Sequence, residues 1–298
     1  MTNQTKTPDI LCIGSVLWDV IGRAQVRMKA GYDVPGRITK LPGGVAMNIA
    51  MTLRAQGLTP ALLTALGKDK DGDVLISAAR DMGMVTDHVW RGDRPTDIYM
   101  AVEGTNGLIA AIADAHGLEA AGSAILQPLE DGTLASADVP WSGAVALDGN
   151  LTSALLSTIA SSPLFANADL RVAPASPGKA ERLKPLFRHP SATFYVNLIE
   201  ANLILGGMHE NTERAAEALL ARGAFRVVVT DGANPASMAD ATRIVTKAPP
   251  PVSVRRVTGA GDTFMAAHIA SELRGDSAEI ALDRALDAAA IYISNGET

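Results

Sequence analysis

The stretch Val254-Arg-Arg-Val-Thr-Gly-Ala-Gly-Asp-Thr-Phe264 decides how this chain is read. A β-like run ends in Gly259-Ala260-Gly261, an acid follows at Asp262, and a helical pattern continues from there. Small residues at a helix start leave the first backbone N–H groups open, and those groups, with the helix dipole, favour an anion. An aspartate beside such a cradle is either an ordinary helix N-terminal acid or a group that acts on the bound anion. Two other phosphate motifs fail. There is no GxxxxGK[ST], and Phe264 stands where a GxGxxG would place its third glycine.

Upstream, apolar runs of strand length recur: Ile10-Leu-Cys-Ile13, Ala144-Val-Ala-Leu147, Thr193-Phe-Tyr-Val196 and Val227-Val-Val229. They suit strands buried on both faces. Amphipathic stretches near 46–56, 72–82, 179–187, 211–222, 261–274 and 278–293 predict helices between and after them. The alternation predicts α/β architecture built of βαβ units, with a mostly parallel central sheet covered by helices on both sides, in a length that allows one large domain or two small ones. Ligands in such folds gather at the carboxyl ends of strands, here Asp148-Gly-Asn150, Asn197 and Thr230-Asp-Gly232. Residues 15–42 and 88–112 lack helical periodicity and hold alternation instead, as in Asp97-Ile-Tyr-Met-Ala-Val102, with turn signals such as Thr105-Asn-Gly107. They predict a small flap of antiparallel strands. Residues 122–143 read as loops and short connections, and Pro249-Pro-Pro251 as a stiff approach to a further strand.

Composition narrows the function. The 298 residues are 47% apolar and 19% charged, as in a folded globular protein. With 26 Lys and Arg against 32 Asp and Glu the net charge is −6, the wrong sign for a nucleic-acid polymer groove. Cys12 has no partner for an internal disulfide. His88, His116, His189, His209 and His268 form no HExxH pair or other common zinc spacing. No run reaches the roughly 18 apolar residues of a membrane span, and residues 1–8 read as a polar, disordered lead-in without a signal segment. The expected setting is the cytoplasm, with no membrane partner.

Gly259-Ala-Gly-Asp262, together with Pro42-Gly43-Gly44-x-Ala46-x-Asn48-x-Ala50, resembles the paired signatures of the PfkB (ribokinase-like) sugar and nucleoside kinases. Gly14-x4-Asp19, Gly67-x-Asp69-x2-Gly72, Asn197-x2-Glu200 and Thr230-x-Gly232 fall in the family's order, so the likeness covers essentially the whole chain. Within the family, Gly43-Gly-Val-Ala-Met-Asn-Ile-Ala50, Val257-Thr-Gly-Ala-Gly-Asp262, Ala111-Ile-Ala-Asp114 and Asp148-Gly-Asn150 are most similar to pseudouridine kinases. Ala173-Pro-Ala-Ser-x-x-Lys179 is similar to their DPVSxxK stretch, with Ala173 in place of the acid.

The resemblance implies a single domain over 1–298 with a ribokinase-like three-layer α/β/α fold whose β flap acts as a lid, with ATP and Mg2+ as cofactors. It makes Asp262 the base that deprotonates a substrate hydroxyl, and the Gly259, Ala260 and Gly261 amides the anion hole. It places Asn197 and Glu200 around magnesium and phosphate, Glu200 through water. Thr230 and Gly232 then line the nucleotide site, residues 288–295 with Asn295 wall the adenine, and Lys179 is a further phosphate contact. Asp19, Gly43, Gly44, Asn48 and Asn150 fall to the sugar acceptor. Read without the resemblance, Glu200 and Lys179 are solvated helix residues, Asp19 a strand-end turn residue and Gly43-Gly44 a tight turn.

The implied reaction is ATP-dependent phosphorylation of the 5′-hydroxyl of pseudouridine. Ribose, another nucleoside or a ketose is the alternative acceptor. A non-catalytic sugar- or nucleoside-binding protein is the alternative class, against which the complete GAGD argues. Related kinases also imply a homodimer whose flaps cover each other's sites. One departure stands out: many relatives carry an acid six residues before the base, in a region that supports a monovalent cation, where this chain has Arg256 followed by Val257. A permanent guanidinium charge repels such an ion, so turnover is expected not to need potassium; the alternative is an Arg256 in solvent with the ion held by carbonyls.

Overall fold

The computed structural model describes residues 7–29 and 31–295. Its central sheet holds β1 (Ile10–Ile13), β4 (Pro60–Leu63), β9 (Ala144–Asp148), β10 (Asp169–Ala173), β11 (Thr193–Asn197), β12 (Arg226–Asp231), β13 (Asn234–Ala239) and β14 (Ile244–Lys247). The spatial order is β14-β13-β12-β11-β10-β9-β1-β4. Pairing is parallel from β4 through β12 and antiparallel at β13 and β14. Successive strand residues feed opposite layers. Leu11, Val145, Leu147, Phe194 and Val227 join one apolar cluster, and Ile10, Cys12, Ala146, Tyr195 and Val228 the other. That two-sided burial is why these runs are apolar without alternation.

Helices α1 (Val45–Ala55), α2 (Lys70–Asp81), α8 (Ala260–Leu273) and α9 (Ala278–Ser294) supply the second cluster. Helices α5 (Ser153–Ser161), α6 (Leu198–Leu205) and α7 (Thr212–Ala221), with the short α3 (Gly117–Ala121) and α4 (Gln127–Glu130), supply the first. The architecture is the expected three-layer α/β/α. No helix among the described residues is long and apolar enough to cross a membrane.

Several expectations need correction. The stretch near 179–187 is a 3-10 helix over Pro177–Arg188, because Pro185 inside it withholds an N–H and disfavours α geometry before it. Strands β4 and β10 and helices α5 and α6 were not expected; β10 hides its pattern behind the buried, charged Arg171. No strand follows Pro249-Pro-Pro251, since three prolines cannot donate to a ladder and β14 already closes that edge of the sheet. Pro8 is buried, so the lead-in is shorter than expected; its residues 1–6 lie outside the described residues.

The flap is a four-stranded sheet of β2 (Leu17–Ala24), β3 (Gly36–Gly43), β7 (Ile98–Gly104) and β8 (Gly107–Asp114), in the order β3-β2-β7-β8. It is not wholly antiparallel: β2 and β7 pair parallel. Both strands set out from the body, where the Trp18 N–H bonds the Asp97 carbonyl, so they run the same way. β6 (Trp90–Gly92), expected in the flap, pairs instead with β5 (Ala65–Gly67).

A buried charge network ties the far end of α8 to the sheet. Arg171 bonds Asp169, Glu272 and the Tyr195 hydroxyl, and Arg226 forks onto Glu272 at 2.7 and 2.9 Å. Tyr195 and His268 Nδ1 lie 2.9 Å apart.

Candidate active site

Strand ends and helix starts converge at the carboxyl edge of the parallel strands. Asp262 sits in the first turn of α8, which opens at Gly259 with a left-handed φ of 86°. The Ala260 N–H closes onto the Val257 carbonyl at 3.1 Å and the Thr263 N–H onto the Gly259 carbonyl at 3.0 Å. The Ala260 amide is therefore engaged within the turn. Among the described residues the N–H groups of Gly259, Gly261 and Asp262 remain as open donors. A Cβ built on Gly261 would meet nothing within 4 Å, so there is room in front of them.

Asp262 Oδ2 accepts a 2.8 Å bond from Asn48 Nδ2 across the α1–α8 contact. Asn48, assigned to the acceptor by resemblance, thus holds Asp262. Burial pushes the Asp262 carboxyl up to about 7; the Asn48 bond opposes that shift, while the Asp148, Asp19 and Glu200 charges add to it. A carboxylate poised near neutrality suits removal of a hydroxyl proton.

Asp19 lies inside β2, opposite Leu41 of β3 and Tyr99 of β7, and is not a strand-end turn residue. Burial raises its carboxyl to about 6. Gly43 exists for this carboxylate: a Cβ there would fall 2.0 Å from Asp19 Oδ2. Gly44, at φ 93°, caps α1, and a Cβ there would strike the Ser15 carbonyl at 2.5 Å.

Asp148, which the sequence marks as a strand end and part of a motif without a role of its own, is a central support in the structure. It is fully buried, and its carboxylate accepts 2.7 Å bonds from the backbone N–H groups of Ser15 and Asn150. Asn150 Nδ2 then donates to Ser15 Oγ at 2.9 Å, and Lys179 Nζ donates to Asn150 Oδ1 at 2.5 Å. Lys179 is thus half-buried on Asn150, neither a solvated helix lysine nor placed by any contact with Thr230 or Gly232. Burial lowers its pKa, with Arg182 adding to the effect.

On the other side, Asn197 ends β11 in register with Thr230 of β12. Asn197 Oδ1 accepts from the Glu200 N–H at 2.9 Å, and Glu200 Oε2 accepts from the Asn197 N–H at 2.8 Å, a reciprocal capping box. Glu200 is only 7% exposed, not a solvated acid, and burial raises its pKa. Gly232, at φ 57°, has open space where a Cβ would stand, which fits the close approach of a flat ligand. Asn295 is the exposed residue that ends α9. Arg256 is not in solvent: its guanidinium carbon lies 3.6 Å from the Tyr292 ring centroid, and Nε donates to the Tyr292 carbonyl at 2.9 Å.

Comparison with known proteins agrees with this geometry. The model of the pfkB family carbohydrate kinases matches residues 7–298. A pseudouridine kinase of Escherichia coli is 26% identical over 86% of this chain and 81% of its own length. An uncharacterized sugar kinase of the same organism is 29% identical over 98% of this chain and 80% of its own. An Arabidopsis thaliana ribokinase solved with ribose and ATP superposes with a TM-score of 0.78 at 19% identity, covering 98% of this chain and 95% of that one. With its ribokinase-like fold and the motifs gathered at one sheet edge, the chain belongs to the pfkB family of carbohydrate kinases, phosphotransferases acting on small sugar or nucleoside substrates.

Proposed function

We propose that the protein transfers the γ-phosphoryl group of ATP to the 5′-hydroxyl of pseudouridine. The observation that carries this reading is Asp262, raised to about 7 and held by Asn48 beside the open N–H donors of α8. The acceptor hydroxyl gives its proton to an Asp262 carboxylate oxygen. Its oxygen forms the new bond to phosphorus as the bond from the γ-phosphorus to the bridging oxygen breaks, and ADP leaves. The N–H groups of Gly259 and Gly261 meet the charge on the transferring group.

The open ground at Gly232 and Gly261 fits a nucleotide running from β12 to α8. Among the described residues no three His, Cys, Asp or Glu converge as a metal site. Mg2+ would accordingly be held by phosphate oxygens and water, with Asn197 and Glu200 in reach through water, and would supply charge neutralisation. Asp19 would take sugar hydroxyls, and the Ser15–Asn150–Lys179 chain would offer polar groups at the same side.

Pseudouridine is favoured by the motif likeness and by the pseudouridine kinase among the relatives. It differs from uridine by an extra ring N–H, and a site that pairs with this group leaves its partner unmatched when uridine binds. An ADP-release assay is expected to give pseudouridine a kcat/KM at least about tenfold above uridine. Equal values, or a preference for free ribose, would move the reading to the other acceptors. The same assay with potassium replaced by tetramethylammonium at constant ionic strength is expected to run at an unchanged rate, since Arg256 stands at the cation-side position.

We also propose a homodimer joined through the lids. The edge strand β8 is exposed along its whole length and carries Leu108 and Ile112, while Met100 is exposed on its neighbour β7 and Ile38 on the opposite edge strand β3. Light scattering at micromolar concentration should give twice the chain mass; a monomer would sink the idea.

A further inference from the structure

We propose that Tyr292 and Arg256 are positioning residues that hold the anion cradle in place from the C-terminal turn of α9. This rests on the kinase assignment and not on the identity of the acceptor. The segment leading into Gly259 is mostly exposed. It is irregular, and Val254 and Val257 are 60% and 71% exposed. A segment with so few buried contacts opens readily, whereas a transition-state cradle has to be held to within roughly 0.5 Å.

What holds it is the end of α9. The N–H groups of Arg255 and Arg256 donate to the Ile293 carbonyl at 2.8 and 3.3 Å. Arg256 Nε donates to the Tyr292 carbonyl at 2.9 Å. These carbonyls belong to the last turn of α9, where the helix itself supplies no donor and its dipole favours a cation. The Arg256 guanidinium then lies over the Tyr292 ring, with 3.6 Å between its carbon and the ring centroid. The Tyr292 hydroxyl completes the connection, donating to the Thr258 carbonyl at 3.0 Å.

That carbonyl belongs to the peptide whose N–H is that of Gly259, so the tyrosine fixes the plane of a cradle amide directly. It also closes the other side of the same residue. A Cβ on Gly259 would lie 2.4 Å from the Tyr292 hydroxyl, so the ring occupies the space a side chain would need. Gly259 is therefore required twice, by its φ of 86° and by the tyrosine. Neither Tyr292 nor Arg256 need touch the substrate; both act through the orientation of the Thr258–Gly259 peptide.

Tyr292→Phe removes the hydroxyl and leaves the ring under Arg256, and Tyr292→Leu removes both. In titrations with ADP, aluminium fluoride and magnesium, which mimic the phosphoryl group in flight, Tyr292→Phe is expected to bind roughly tenfold more weakly and Tyr292→Leu more weakly still. Affinity for ADP alone should change less than about twofold. With pseudouridine as acceptor, kcat should fall by the same factor at an unchanged acceptor KM, measured well below the melting temperature of each variant. In the free protein, hydrogen exchange should quicken at residues 258–261. Wild-type binding of the aluminium fluoride complex by both variants would overturn the proposal. So would an equal loss for ADP and its aluminium fluoride complex, which would make Tyr292 part of the nucleotide wall. Should Tyr292→Leu fail to fold, Tyr292→Phe decides alone. A wild-type protein inactive on pseudouridine would sink the acceptor reading while the binding titrations still test the brace.

Discussion

Asp262→Asn is expected to lower kcat by at least about 100-fold while ATP and the acceptor still bind, the scale of a positioned general base. The amide keeps the shape and can still accept from Asn48, but it cannot take the hydroxyl proton. Turnover of the wild type should fall on the acid side through about pH 7, as the carboxylate is protonated, and this limb should vanish from the residual activity of the variant. Stability should move the other way. The folded protein raises this group from 3.8 to about 7, so the folded state holds the proton more tightly than the unfolded chain. Stability is therefore lost as pH rises towards 7, and Asp262→Asn should raise the melting temperature more at pH 8 than at pH 5. Calorimetry showing intact binding together with near-wild-type turnover would remove Asp262 from the chemistry.

Glu272→Ala should cost about 3–5 kcal/mol of stability, because it breaks a buried ion-pair network: Arg226 loses its carboxylate and Arg171 keeps only that of Asp169. The Arg171 side chain is 6% exposed and that of Glu272 15%, so water cannot replace the lost contact cheaply. Burial by itself would raise the Glu272 pKa; the Arg171, His268 and Arg226 charges outweigh it and hold the group below its ordinary 4.5. The contribution is therefore present above pH 4.5 and is lost as pH falls through the lower folded value. Denaturant titrations at pH 7 and pH 4 should show the gap between wild type and variant shrinking in acid. Glu272 and Asp262 share α8, but they sit at its opposite ends. Turnover measured well below the melting point should stay within about twofold of wild type, and a large loss there would make the network part of the site.

Much of this was written in local sequence. The apolar runs of β1, β9, β11 and β12 and the patterns of α1, α2, α7, α8 and α9 lie within about two residues of where periodicity puts them, since burial on one or two faces acts residue by residue. Gly259-Ala-Gly-Asp262 announced an anion-friendly helix start because turn geometry and open N–H groups are local properties. Tertiary structure alone decided the rest. Asn48 reaches Asp262 across 214 positions, and Ser15 meets Asp148 across 133. No spacing rule reports that Lys179 ends on Asn150, that Gly43 makes way for Asp19, or that Arg256 lies on Tyr292. The parallel β2–β7 pair likewise depends on two strands leaving the body side by side after long separation in the chain. Residue types and turns set which groups are available; the pKa of Asp262 and the partners of each side chain follow from burial and contact, which exist only once the sheet has brought distant segments together.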